Sequence, residues 1–146
     1  MIVNRQRGVR IPLKPLDLFL RQIRRLLRLG RAEISVAFVT NAEIARLNKL
    51  YRRKRGPTDV LSFPTRNGSR RSAGRRSPVP GRFLGDIAIA PAVARKYARR
   101  HNRSLHAELR VLLLHGVLHL LGYDHEADEG QMDRLERKLR RRLGLS

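Results

Sequence analysis

The chain has 146 residues, with 33 Lys plus Arg against 12 Asp plus Glu, a net charge of +21, and no cysteine. That length suits one domain, and 41% hydrophobic residues are enough to bury a modest core. The missing cysteines exclude a disulfide scaffold and cysteine-held zinc, and no stretch approaches the roughly 18 apolar residues of a membrane span. The opening M-I-V-N-R-Q-R lacks the apolar core of a secretory signal, so a cytoplasmic location is expected.

In chain order, residues 2–4 begin a short strand. Leu16, Phe19, Leu20, Ile23, Leu26 and Leu27 then recur at helical spacing, with Arg21, Arg24, Arg25 and Arg28 on the opposite face and Gly30 as the stop. Residues 34–39 alternate and are rich in β-branched side chains, which predicts a strand. Thr40 and Asn41 cap a helix bearing Ile44, Leu47 and Leu50. Residues 59–63 form a further strand closed by Pro64, and residues 83–90 another, followed by Pro91 at a helix start. Between these two strands, residues 66–82 are Gly, Ser, Pro and Arg with almost nothing to bury, which predicts a basic, mobile loop. A flap that meets RNA phosphates and a tolerated surface insertion both fit it.

Ser104 caps the next helix, an apolar one. The last helix carries Leu135, Leu139 and Leu143, with Glu136 and Arg140 as an i,i+4 pair and Glu126, Asp128 and Glu129 at its N-terminus, where the helix dipole favours acids. The expected fold class is α/β, a single domain over residues 1–146 with a small mixed sheet of about four strands and about five helices packed on it.

The apolar helix runs into H-G-V-L-H-L-L-G-Y-D-H, which places three of the five histidines within eleven residues. His115 and His119 stand four apart, so on a helix they project from one face about 6 Å apart along the axis. Gly122 is the natural helix stop, after which the chain can turn back and aim His125 at the same point. Three neutral imidazoles converging in this way make a transition-metal site, usually for zinc, and three ligands with no obvious fourth leave a position for water or substrate. One histidine on an apolar face is more often a satisfied core residue, but two at this spacing plus a third beyond the stop favour ligation. His101 and His106 fit no such geometry and are expected at the surface. Asp124 serves equally as an acceptor orienting an imidazole or as a turn residue.

The offsets match the metzincin pattern H-E-x-x-H-x-x-G-x-x-H, yet the position of its general-base Glu is occupied by Gly116. The peptidase base is therefore missing, and Glu108, two helical turns away, is a poor substitute. Composition suggests a different substrate. Only five basic residues are Lys (14, 49, 54, 96 and 138), leaving 28 Arg, whose planar forks pair with phosphates two bonds at a time. Between Lys49 and Arg82 the one acid is Asp59. Such a surface attracts nucleic acid, and with few aromatics phosphate contact should dominate over base stacking.

H-G-V-L-H-L-L-G-Y-D-H resembles the signature of the YbeY family, bacterial rRNA maturation factors described as single-strand-specific metallo-endoribonucleases. The run from Leu47 and Asn48 through Tyr51 and Arg52 to P-T-D-V-L-S-F-P at residues 57–64, and L-G-D-I at residues 84–87, are similar to two further family blocks in order and spacing. Residues 66–82 depart from the family pattern. The resemblance implies that His115, His119 and His125 are ligands to one Zn2+ ion per chain and that Arg52 matters for activity. It also implies a zinc-dependent endoribonuclease acting in 16S rRNA 3′-end maturation and late ribosome quality control, with the small ribosomal subunit, ribosomal proteins and a ribosome-associated GTPase as partners and no membrane. A non-catalytic, zinc-stabilised assembly factor that binds rRNA is the alternative. Asp86 is expected to hold a sheet edge, with ligand orientation as the other option. No residue presents itself as a general base.

Overall fold

The computed structural model describes residues 1–65, 83–123 and 129–145. The expected basic loop at 66–82 lies outside the described residues, as do Asp124, His125, Glu126 and Asp128. Strands β1 (Ile2–Asn4), β2 (Glu33–Phe38), β3 (Val60–Pro64) and β4 (Phe83–Ile89) form one sheet in the order β1-β2-β4-β3. The first two pairings are parallel and β3 runs antiparallel to β4, so the sheet is mixed. Five helices complete a single α/β domain: α1 (Leu13–Leu26), α2 (Asn41–Arg52), α3 (Pro91–Arg100), α4 (Leu105–Leu120) and α5 (Gln131–Arg142).

Side chains alternate across the pleat, and the two faces of the sheet serve different layers. Ile34, Val36, Phe38, Ile87 and Ile89 belong to the main core, with Leu16, Phe19, Leu20 and Ile23 of α1 and the leucines of α4. Leu61 and Ala88 belong to a smaller cluster with Ile44, against which Leu47 and Phe63 pack. Helix α4 is the centre of the molecule: it contacts α1, α3, α5, β3 and β4. Leu109, Leu113, Leu114 and Leu118 are fully buried there, which explains why its sequence is apolar nearly all round rather than striped.

The caps follow from the sequence. The hydroxyls of Thr40 and Ser104 accept from the backbone N–H of Glu43 and Ala107, three residues on, and so satisfy donors that the first helical turn leaves free. At the other end of α4, Gly122 takes a left-handed φ of 97°. Its N–H donates to the His119 carbonyl while the N–H of Tyr123 donates to the Leu118 carbonyl, a Schellman close. Two details differ from expectation. Helix α1 stops at Leu26, and Arg28 (φ 56°) takes the first left-handed turn, ahead of Gly30. Leu50 is 60% exposed, while Ile44, Leu47 and Tyr51 of its helix reach the sheet. Among the described residues no helix is long and apolar enough to cross a membrane.

Candidate functional site

A cavity of about 420 Å3 opens where the C-terminal half of α4 passes the end of α2 and strand β3, and its lining includes Arg52, Asp59, Ser62, His115 and His119. Its floor is set by packing. Gly116 lies against β4, and a Cβ built there would stand 2.9 Å from Ile87 Cδ1. The Ser62 hydroxyl donates to the Gly116 carbonyl at 3.2 Å, tying β3 to the same turn of the helix. Glycine at 116 therefore allows close helix–sheet approach, and a Glu at that position would have no room.

The close approach presents His115 and His119 to the cavity. Their Nε2 atoms face each other at 3.1 Å, with ring centroids 4.6 Å apart and planes at 63°. At Zn–N bonds of about 2.0–2.1 Å, two nitrogens on a tetrahedral zinc stand about 3.3 Å apart, so this pair fits two positions on one ion with little adjustment. Among the described residues no group of three or more His, Cys, Asp or Glu gathers as a metal site. The third expected histidine, His125, lies outside them.

Arg52 reaches the same cavity from the last residue of α2. Arg53 ends that helix in a left-handed conformation, and the buried Asn48 side chain donates to the Gly56 carbonyl at 3.0 Å. The segment after α2 is thereby held against the helix, which brings Lys54, Thr58 and Asp59 to the rim. Two cations, a carboxylate and two imidazoles thus share one concave surface. Such a surface can bind a phosphate through the guanidinium and ammonium groups, and the two imidazoles would be the groups to hold a metal, which when bound would supply Lewis acidity.

The family model described as endoribonuclease YbeY matches residues 2–144. The chain belongs to the endoribonuclease YbeY family. It is similar to the endoribonuclease YbeY of Koribacter versatilis, at 40% identity over 99% of this chain and 86% of the relative. It is also similar to that of Solibacter usitatus, at 47% identity over 72% of this chain and 62% of the relative. Its fold is similar to the solution structure of TM1509 from Thermotoga maritima, with a TM-score of 0.64 and 28% identity over 98% of this chain and 89% of that one.

Other expectations for this YbeY-family chain fare differently. Asp86 occupies the interior of the central strand β4 and holds no sheet edge, because β3 pairs outside it. It lines a separate groove of about 340 Å3 with Arg5, Glu43, Tyr51 and Phe63, apart from the His115–His119 cavity. Glu108, buried near the start of α4, receives Arg103 Nη1 at 2.8 Å and so serves the fold. His101 is exposed as expected, whereas His106 is half-buried; burial, then the neighbouring Arg110, lowers its pKa from the ordinary 6.5. Glu136, read from spacing as the partner of Arg140, is buried, and its Oε1 stands 2.8 Å from His115 Nδ1. Nothing in the sequence links residues 115 and 136. Asn48, Thr58 and Asp59 were legible within the family motifs, but without their meeting point, and Lys54 fell between two of those motifs.

Proposed function

We propose that this protein is a zinc-dependent, single-strand-specific endoribonuclease that acts in the cytoplasm on 16S rRNA, in 3′-end maturation and late ribosome quality control. Family membership supports an RNA substrate, since the relatives are named endoribonucleases. The observation that carries the reading is the pair of Nε2 atoms 3.1 Å apart in a cavity shared with Arg52 and Lys54.

In this reading His115, His119 and His125 hold the ion. Zinc when bound supplies Lewis acidity, polarising a phosphodiester oxygen and acidifying water. Arg52 pairs with the scissile phosphate and stabilises the extra negative charge that develops as the phosphoryl centre is attacked. Lys54 holds the neighbouring backbone, and the Asn48 link to Gly56 keeps both cations in place. The surrounding positive field concentrates RNA at the cavity. Small-subunit rRNA, ribosomal proteins and a ribosome-associated GTPase are the proposed partners, and residues 1–146 form one catalytic domain.

The test is metal content measured alongside cleavage of a single-stranded rRNA fragment, before and after chelation. About one zinc per chain, with cleavage lost on chelation and restored by zinc, is the expected result. Intact RNA in the presence of well-folded, zinc-loaded protein would replace the nuclease by a non-catalytic assembly factor.

A further inference from the structure

Glu136 is one of only four buried polar or charged residues recorded among the described ones, with Gln6, Asn48 and Glu108. The other three are matched by partners within eight residues along the chain. Gln6 bonds to Asn4 and Val9, Asn48 to Gly56, and Glu108 to Arg103. Glu136 lies on α5 between Met132 and Leu139, all three buried at helical spacing, so it occupies a position where an aliphatic side chain would pack. The solvent side of the same helix carries Arg137, Lys138, Arg141 and Arg142, where a carboxylate would be welcome. Burying it inward costs solvation unless its oxygens are matched by donors. One matching donor is His115 Nδ1, 2.8 Å from Oε1, with the two side chains 26% and 12% exposed.

We propose that Glu136 is the positioning residue of this site: its carboxylate accepts the Nδ1–H of His115 and so holds that ring in the tautomer whose Nε2 lone pair faces His119 Nε2 and the cavity. With Glu136 ionised its carboxylate can only accept hydrogen bonds, and the 2.8 Å contact then has the His115 nitrogen as donor. A neutral imidazole carries one proton, and with Nδ1 protonated Nε2 is left as an acceptor. That nitrogen is the one 3.1 Å from His119. The carboxylate also fixes the ring's rotation about its Cβ–Cγ bond, which favours binding of a cation at Nε2. Glu136 thus couples the C-terminal helix to the cavity from 21 residues away.

The inference rests on the metal reading for its purpose but not for its geometry, and the experiment separates the two. Glu136→Leu keeps the volume, suits the stripe between Met132 and Leu139, and removes the acceptor; Glu136→Gln keeps an acceptor oxygen. Long-range 1H–15N correlation spectra of chelator-treated protein, at a pH well above the imidazole range, read the tautomer of His115 directly. Wild type and the Gln variant should show His115 protonated at Nδ1 alone, and the Leu variant should show the Nε2–H form appearing. Zinc titration of the same proteins should find the Leu variant about 10–100-fold weaker than wild type, with the Gln variant between them. A folded Leu variant whose His115 keeps the wild-type tautomer overturns the inference. Wild type that takes up no zinc, while its tautomer still responds to Glu136→Leu, removes the metal reading and leaves the positioning role standing.

Discussion

At the scale of single residues, the proposed roles of the cavity's side chains separate into two imidazoles that would hold a metal and two cations that would neutralise phosphate. Arg52 lines the cavity from the end of α2 and forms no part of either apolar cluster, so its charge can be reversed without disturbing the core. Arg52→Glu should therefore lower cleavage about 10²–10³-fold while zinc content and thermal unfolding stay at wild-type values. His119→Ala should lose zinc and cleavage together. An Arg52→Glu protein that still cleaves would take Arg52 out of the mechanism. His115 and His119 were legible because a spacing of four on a helix dictates a shared face. Glu136 was not, because its spacing to Arg140 already offered a local partner and only packing reveals the distant one.

At the scale of elements, α4 decides where the site sits. Its approach to β4 is set by Gly116, whose missing side chain lets Ile87 fill the gap. Gly116→Ala should destabilise the fold by about 1–2 kcal/mol in chemical denaturation, since the clash of the new methyl group with Ile87 outweighs the roughly 1 kcal/mol that alanine gains over glycine inside a helix. Ile87→Val in the same chain should recover part of the loss, and a Gly116→Ala protein as stable as wild type would disprove the close approach. Sequence alone reads Gly116 as an absent catalytic base; the structure reads it as a contact surface. The place of β2 and the starts of α2 and α4 were legible, because strand alternation and the Thr40 and Ser104 caps act over only a few residues. The end of α1 and the exposure of Leu50 were not, since both depend on how far the neighbouring layers extend.

At the scale of the whole molecule, the net charge of +21 sets long-range behaviour. Affinity for single-stranded RNA should fall steeply with salt, with a log–log slope of about −0.7 for each phosphate neutralised. Residues 66–82 contain six arginines and no acid. Deleting them should make that slope shallower and weaken RNA binding while zinc content is retained. An unchanged slope and activity after the deletion would mean that the segment takes no part in binding.

By itself the sequence determined the α/β class, the helix and strand periods, the basic surface and the shared face of His115 and His119. Each of these is a matter of local geometry or of charge that simply adds along the chain. Only the tertiary structure decided that Arg52 and Lys54 meet those imidazoles, that Asp86 faces a different groove, and that Glu136 backs His115. Those meetings depend on which layer covers which face of the sheet and how closely α4 settles on β4, a result of packing summed over the whole core that no short window of sequence contains.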